Sequence, residues 1–149
     1  MRLACYQPEI AGNMGALLRL AACYGVPVDV IEPCGFIWSD AKMRRAGMDY
    51  AAQVPVDRHI DWAAFRAARP ARLVLLTTKA VKRLHDFSFL ADDILLMGSE
   101  SSGVPGDVAA ACDAAVRIPI SREVRSLNLA VAAAIALTEA LRQTGGLPE

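Results

Sequence analysis

Short apolar runs recur along this chain, separated by stretches with helical spacing. ILLM at 94–97 has no polar residue, and LVLLT at 73–77 has only its closing Thr77. A run of this length without polar alternation suits a strand buried on both faces, as in a parallel sheet covered by helices. LACY at 3–6 and VDVI at 28–31 read as further strands. Between the first two lies a helical pattern over 14–24, with Leu17, Leu18, Ala21 and Ala22 on its apolar face and Gly25 and Pro27 at its end. The alternation predicts an α/β domain with a mostly parallel sheet of about six strands.

The remaining elements follow the same logic. Ser39 or Asp40 can cap a short helix through Arg45, stopped by Gly47. Residues 52–56 form a weak strand whose Pro55 favours a sheet edge. Asp61 caps WAAFRAA, which Pro70 ends, and Pro105 opens a helix running to about Cys112. The last strand is expected at 116–120 and the last helix at 127–142, before Gly145 and Gly146. With 149 residues and 54% apolar composition, one domain spanning 1–149 with a single core is expected.

Composition narrows the chemistry. The N-terminal MRLACYQPEI meets Gln7, Pro8 and Glu9 too soon for a secretion signal, and the apolar stretch at 127–137 is too short to span a membrane. A cytoplasmic protein with no membrane partner is expected. Cys5, Cys23, Cys34 and Cys112 are scattered, and His59 and His85 are isolated. These spacings favour reduced core cysteines over a metal or disulfide framework. Net charge is zero, yet cations gather at Lys79–Lys82–Arg83, at Arg117–Arg122–Arg125 and at Lys42–Arg44–Arg45. Each group would ordinarily be a solvated face; together they leave room for a locally basic surface.

In open α/β sheets ligands bind beyond the carboxyl ends of strands. Three polar, Gly- or Ser-rich turns stand there: PEIAGNMG at 8–15, GSESSGVP at 98–105 and SREVRSLN at 121–128. Each opens a helix, whose N-terminal N–H groups suit a polar or anionic ligand. Neither GxGxxG nor GxxxxGKS occurs, so the common nucleotide fingerprints are missing. Asn13 and, in the last turn, Ser126 and Asn128 could cap the helices that follow.

Taken in order, these turns carry Pro8-Glu9-Ile10, Asn13, Gly15 and Arg19; then Gly98, Glu100, Gly103 and Pro105; then Arg117-Ile118-Pro119 and Arg125-Ser126-Leu127-Asn128-Leu129. The chain thereby resembles the SPOUT (SpoU-TrmD) superfamily of RNA methyltransferases, and in particular its small TrmL-like members. IEPCGFIW, MRRAGMDY and LLTTK extend the likeness over nearly the whole chain. The resemblance implies a C-terminal deep trefoil knot, with the knot and an S-adenosylmethionine pocket at about 73–143. It also implies a homodimer that methylates the ribose 2′-hydroxyl of the tRNA wobble nucleotide, cytidine or modified uridine, within the anticodon stem-loop. Leu76, Thr77, Gly98, Glu100, Gly103, Ile118, Ser126 and Leu127 match positions that hold the cofactor, and Arg19, Asn13, Ser126 and Asn128 match catalytic positions. No metal is implied.

Each residue also has an ordinary reading. Leu76 and Ile118 would serve a core, Gly98 and Gly103 a turn, and Arg19 a helix surface. A guanidinium, with a pKa above about 12, makes a poor base. The role implied for Arg19 is to orient the ribose and an adjacent phosphate while stabilising developing oxyanion character. Glu100 would either fix the knot loop or meet the sugar of the cofactor. Ser99 and Ser102 replace the Pro and Arg common in close relatives, and Thr138 replaces an aromatic of the last helix. The small residues Ala130, Ala132, Ala133, Ala134 and Ala136 suit a knot core, a dimer face or an ordinary packed helix. The same chemistry on ribosomal RNA or another tRNA position, and a non-catalytic RNA-binding module, remain as alternatives.

Overall fold

The computed structural model describes residues 1–39, 41 and 53–149. The short helix expected through Arg45 and the Lys42–Arg44–Arg45 group fall outside them. Six strands form one sheet: β1 (Arg2–Tyr6), β2 (Val28–Ile31), β3 (Val56–His59), β4 (Leu73–Leu76), β5 (Ile94–Met97) and β6 (Ala114–Val116). Their order is β3-β2-β1-β5-β4-β6, and every pairing is parallel. Helices lying wholly among the described residues accompany them: α1 (Ala11–Tyr24), α2 (Trp62–Ala68), α3 (Gly106–Ala110) and α4 (Leu129–Thr144). A 3-10 turn spans Leu84–Asp86.

The two-residue period of a strand divides the core into two layers. Leu3, Cys5, Val28, Val30, Val74, Leu95 and Met97 face one way and pack with Leu17, Leu18, Ala136 and Leu137 of α1 and α4. Ala4, Tyr6, Ile31, Leu73, Leu75 and Leu96 face the other way, toward Phe65 of α2 and Val108 of α3. All of Ile94–Met97 is buried, as the polar-free run requires. α1 ends at Gly25 and α4 at Gly145, and Asp61 caps α2 by accepting from the Ala64 N–H at 2.8 Å.

Four boundaries differ from the sequence reading. α1 begins at Ala11, so Asn13 lies within its first turn and does not cap it. β3 runs after Pro55: the Pro55 carbonyl accepts from Val28 N–H, and the charged sequence Val56–His59 forms the edge strand. β6 ends at Val116 because beyond it the chain pairs elsewhere: Arg117 lies between Lys82 and Leu84 in a parallel bridge. α4 starts at Leu129, with Asn128 as its cap, accepting from Ala130 and Val131 N–H groups at 2.9 and 3.3 Å. Ser126 lies outside this helix.

Charge explains why β3 joins the sheet. Asp29 is fully buried and accepts from Arg2 Nε at 2.7 Å and Arg69 Nε at 3.0 Å; its carboxylate also meets His59 Nε2 at 2.7 Å. Asp57 of β3 accepts from the same two arginines at 2.8 and 2.6 Å. Removing the central acid would strand three partners. Asp29→Ala is expected to cost about 3 kcal/mol, at the low end for a broken buried pair because Arg2 and Arg69 keep some access to water. Urea unfolding measures this, and a loss under about 1 kcal/mol would contradict the network's role.

None of the four cysteines is in a disulfide. Only Cys5 is a core residue; Cys23 is exposed, because it sits on the outer side of α1, and Cys34 and Cys112 are partly buried. The expectation of four core thiols therefore holds for Cys5 alone. No helix among the described residues is long and apolar enough to cross a membrane.

Candidate active site

β1 pairs with β2 on one side and with β5 on the other, so the strand order turns at the β1–β5 junction. Open parallel sheets leave a crevice outside the strand ends at such a junction. Here the turns after β1, β5 and β6 converge on a cleft of about 920 Å³. Leu76, Thr77, Gly98, Glu100, Gly103 and Ile118 line it, together with Ser126 and Leu127. Asn13 and Asn128 lie on its wall as well. Residues from four separate stretches thus meet in one place.

The turn after β5 is closed on itself. Ser99 and Gly103 exchange two backbone hydrogen bonds of 2.9 Å, and Gly103 has a φ of 71°. Gly98 is pressed against this bridge: a Cβ there would come within 2.6 Å of the Gly103 Cα and carbonyl carbon. Only glycine permits that approach. Ser99 and Ser102 meet hydroxyl to hydroxyl at 2.9 Å, and Ser99 Oγ also donates to the Gly103 carbonyl. They brace the turn.

Two carboxylates lock this turn to the one after β1. Glu100 accepts from the N–H groups of Glu9 and Ile10 at 2.8 and 3.2 Å and from Asn13 Nδ2 at 3.2 Å. Its negative charge sits at the positive end of α1, where a helix favours an anion. Glu9 returns the contact, accepting from the Ser101 N–H at 2.8 Å and the Ser101 hydroxyl at 2.5 Å. Of the two roles expected for Glu100, this geometry provides the first, fixing the loop. The sequence reading named Glu9 within its first motif but gave neither it nor Ser101 a role; the signal was a carboxylate in each of two turns that also hold backbone donors.

The chain of contacts continues to α4. Asn128 spends its side-chain oxygen on capping, so its Nδ2 is left to donate, and it does so to Asn13 Oδ1 at 2.9 Å. Asn13 must then turn its own Nδ2 to Glu100. Each amide orientation follows from the next, which gives Asn13 a bridging role in place of the capping one. Cys5 lies beneath this wall, and burial, with the nearby Glu100 charge, raises its thiol well above the ordinary value. It is no nucleophile.

Arg19 is not among the residues of the cleft. It is exposed on α1 and lines a shallower groove of about 410 Å³ with Leu20, Cys23, Ala130, Val131 and Ala134. Asn128 borders both depressions. The Tyr24 hydroxyl of α1 reaches Thr138 Oγ1 of α4 at 2.9 Å. Among the described residues, no group of three or more His, Cys, Asp or Glu side chains is placed to hold a metal ion.

This all-parallel fold superimposes on solved SpoU methyltransferases, and the profile of the SpoU rRNA Methylase family matches residues 1–138. The chain belongs to this family. The tRNA (cytidine(34)-2′-O)-methyltransferase of Beijerinckia indica subsp. indica is 57% identical over 97% of this chain and 92% of its own length. The Escherichia coli K12 protein of the same name is 40% identical over 97% and 94%. A structure solved for insight into the 2-OH methylation of C/U34 on tRNA superimposes with a TM-score of 0.90 at 42% identity, covering 95% of this chain and 94% of that one. The SpoU methyltransferase AviRb from Streptomyces viridochromogenes, in complex with the cofactor AdoMet, gives 0.83 at 28% identity, over 96% of this chain and 60% of its own.

Proposed function

We propose that this protein transfers a methyl group from S-adenosylmethionine to the ribose 2′-hydroxyl of the wobble nucleotide of tRNA, a cytidine or modified uridine. The observation that carries this reading is the meeting of three turns in one cleft, in a chain 57% identical to a relative named for that reaction. The cleft's volume falls in the range of ligand pockets, and one wall is the Gly98–Gly103 turn, packed too closely on itself to admit a Cβ at Gly98. These features fit the cofactor.

Leu76, Ile118 and Leu127 supply apolar walls for a flat base, while Thr77, Ser126 and the backbone around Gly98 and Gly103 supply polar contacts. S-adenosylmethionine provides a methyl group already activated on a sulfonium. The protein therefore has mainly to hold and align, which can contribute on the order of 7–11 kcal/mol. Glu100, Asn13 and Asn128 keep the three turns in register. Arg19 orients the ribose and a neighbouring phosphate and stabilises charge on the attacking oxygen.

The finer architecture belongs to the same reading. We infer one methyltransferase domain across 1–149, with a deep trefoil knot and the cofactor pocket within about 73–143. Support comes from the pairing of Arg117 between Lys82 and Leu84, followed by the return of α4, whose Gln143 bonds the backbone of Phe87 and Phe89. Pulling the chain from its two ends tests the threading: a knotted chain stretches to less than its full contour length, and full extension would refute it.

We also infer a homodimer built on the α1–α4 groove, where Val131 and Ile135 remain 48% and 40% exposed beside small alanines. A second copy there would set Arg19 at a mouth shared by both subunits. Alkylation of Cys23 should slow as protein concentration rises through the dimerisation range; a constant rate would contradict that face. A cytoplasmic location, where tRNA is modified, and the anticodon stem-loop as the bound element complete the reading. Incubation with labelled S-adenosylmethionine and separate tRNA and ribosomal RNA pools tests the activity. Label in tRNA alone is expected. Label in ribosomal RNA alone would move the substrate, and no cofactor binding by calorimetry would leave only a binding module.

A further inference from the structure

The cations of the described residues differ in their partners, and Arg66 donates to the backbone carbonyls of Arg69 and Ala71. Arg2, Arg58, Arg69, Arg72 and Arg142 each meet a carboxylate. Lys79, Lys82, Arg83, Arg117, Arg122 and Arg125 meet none among the described residues, and all but the half-buried Arg117 are exposed. A neutral chain has as many acids as cations, 16 of each, so this is segregation rather than excess.

The six lie on only two loops, and the backbone ties those loops together. Arg117 N–H donates to the Lys82 carbonyl at 2.9 Å, and Leu84 N–H donates to the Arg117 carbonyl at 2.8 Å. Arg83 and Arg117 are therefore direct partners across a parallel bridge. Like charges set opposite one another in this way repel. An anion between or above them would relieve that cost. The same two loops reach the cleft: Lys79 lines it from one, and Ser126 and Leu127 line it just beyond Arg125 on the other.

We propose that these paired loops are the surface that grips the phosphate backbone of the substrate RNA, with Arg83 and Arg117 at its centre and Lys79 at the edge of the cleft. The proposal rests on the RNA-methylating reading above. Six cations over two loops exceed what one small anion can use and match a chain of phosphodiesters, which Lys and Arg hold without reading sequence. Binding through such contacts displaces counterions, so it weakens steeply with salt.

The test uses the full-length protein, an unmodified tRNA transcript, and binding measured over a series of salt concentrations. The variant Arg83→Gln with Arg117→Gln should bind on the order of tenfold more weakly, with a log–log salt slope shallower by about 1.4 to 1.8. Its S-adenosylmethionine affinity should stay unchanged, and restoring charge with lysines should restore most of the slope. Arg142→Gln, at a paired cation, should alter neither quantity. If the first pair perturbs folding, Arg122→Gln with Arg125→Gln decides the matter with the same expected slope change. Wild-type slope and affinity in a folded variant would overturn the proposal. Methyl transfer to the same transcript is measured in parallel. Tight, salt-sensitive binding without transfer would keep this surface and refute the activity.

Discussion

Gly98→Ala is expected to lower S-adenosylmethionine affinity on the order of a hundredfold, the distance from micromolar to a tenth of millimolar binding. The added Cβ would stand 2.6 Å from the Gly103 Cα and carbonyl carbon, well inside contact distance. Neither atom belongs to a flexible side chain, so the turn itself must open. That breaks the paired Ser99–Gly103 hydrogen bonds, each contributing about 1 kcal/mol, and adds an overpacking cost of about 1–3 kcal/mol. Calorimetric titration with the cofactor measures the first effect and thermal unfolding the second. Gly103→Ala separates the two causes. A Cβ there meets nothing within 4 Å, and its cost is that of a left-handed φ of 71°, about 1–2 kcal/mol. Wild-type cofactor affinity in Gly98→Ala would contradict the assignment of this turn to the pocket.

Arg19→Ala should slow methyl transfer under single-turnover conditions on the order of 10²- to 10³-fold, the usual loss when a charge-stabilising donor is removed. Cofactor affinity should hardly change, because Arg19 lies on the α1–α4 groove and not on the cleft. That division distinguishes it from Gly98. Arg19→Lys should recover only part of the rate, since an ammonium cannot present the planar pair of donors that a guanidinium offers to ribose and phosphate. Full turnover by the alanine variant would remove Arg19 from the reaction.

What could be read in the sequence follows how strongly each segment's chemistry commits it. Ile94–Met97 was legible to the residue because a buried parallel strand tolerates an unbroken apolar run, and Val28–Ile31, despite Asp29, because Pro27 and the turn at 32–36 bound it. Val56–His59 was not, since its Asp57 and Arg58 look like loop residues until Arg2, Arg69 and Glu32 are brought beside them from elsewhere. Distant partners of this kind leave no local periodicity. The same reason governs the site. The three turns were visible as polar, glycine- or serine-bearing segments after strands, and the structure gathers them around one cleft. Their cross-links were hidden: Glu100 lies 87 residues from Asn13, and Asn13 lies 115 from Asn128. Asn13 looked like a cap because asparagine favours that place, yet Ile10 holds it and the Asn13 amide is drawn to Glu100 and Asn128.

Arg19 marks the other limit. Motif order put it with the catalytic residues, while the fold of one subunit puts it across Asn128 from the cleft. A helix position fixes the face on which a side chain emerges but not which neighbour, or which second copy, completes the surface.

The central claim is the methylation of one ribose in tRNA. Nucleoside mass mapping of tRNA from cells with and without the gene tests it most directly. The account predicts a 2′-O-methyl group at position 34 of a subset of tRNAs that disappears with the gene and returns with the wild-type protein but not with Arg19→Ala. Unchanged 2′-O-methylation at position 34, with a loss at another tRNA position or in ribosomal RNA, would contradict it.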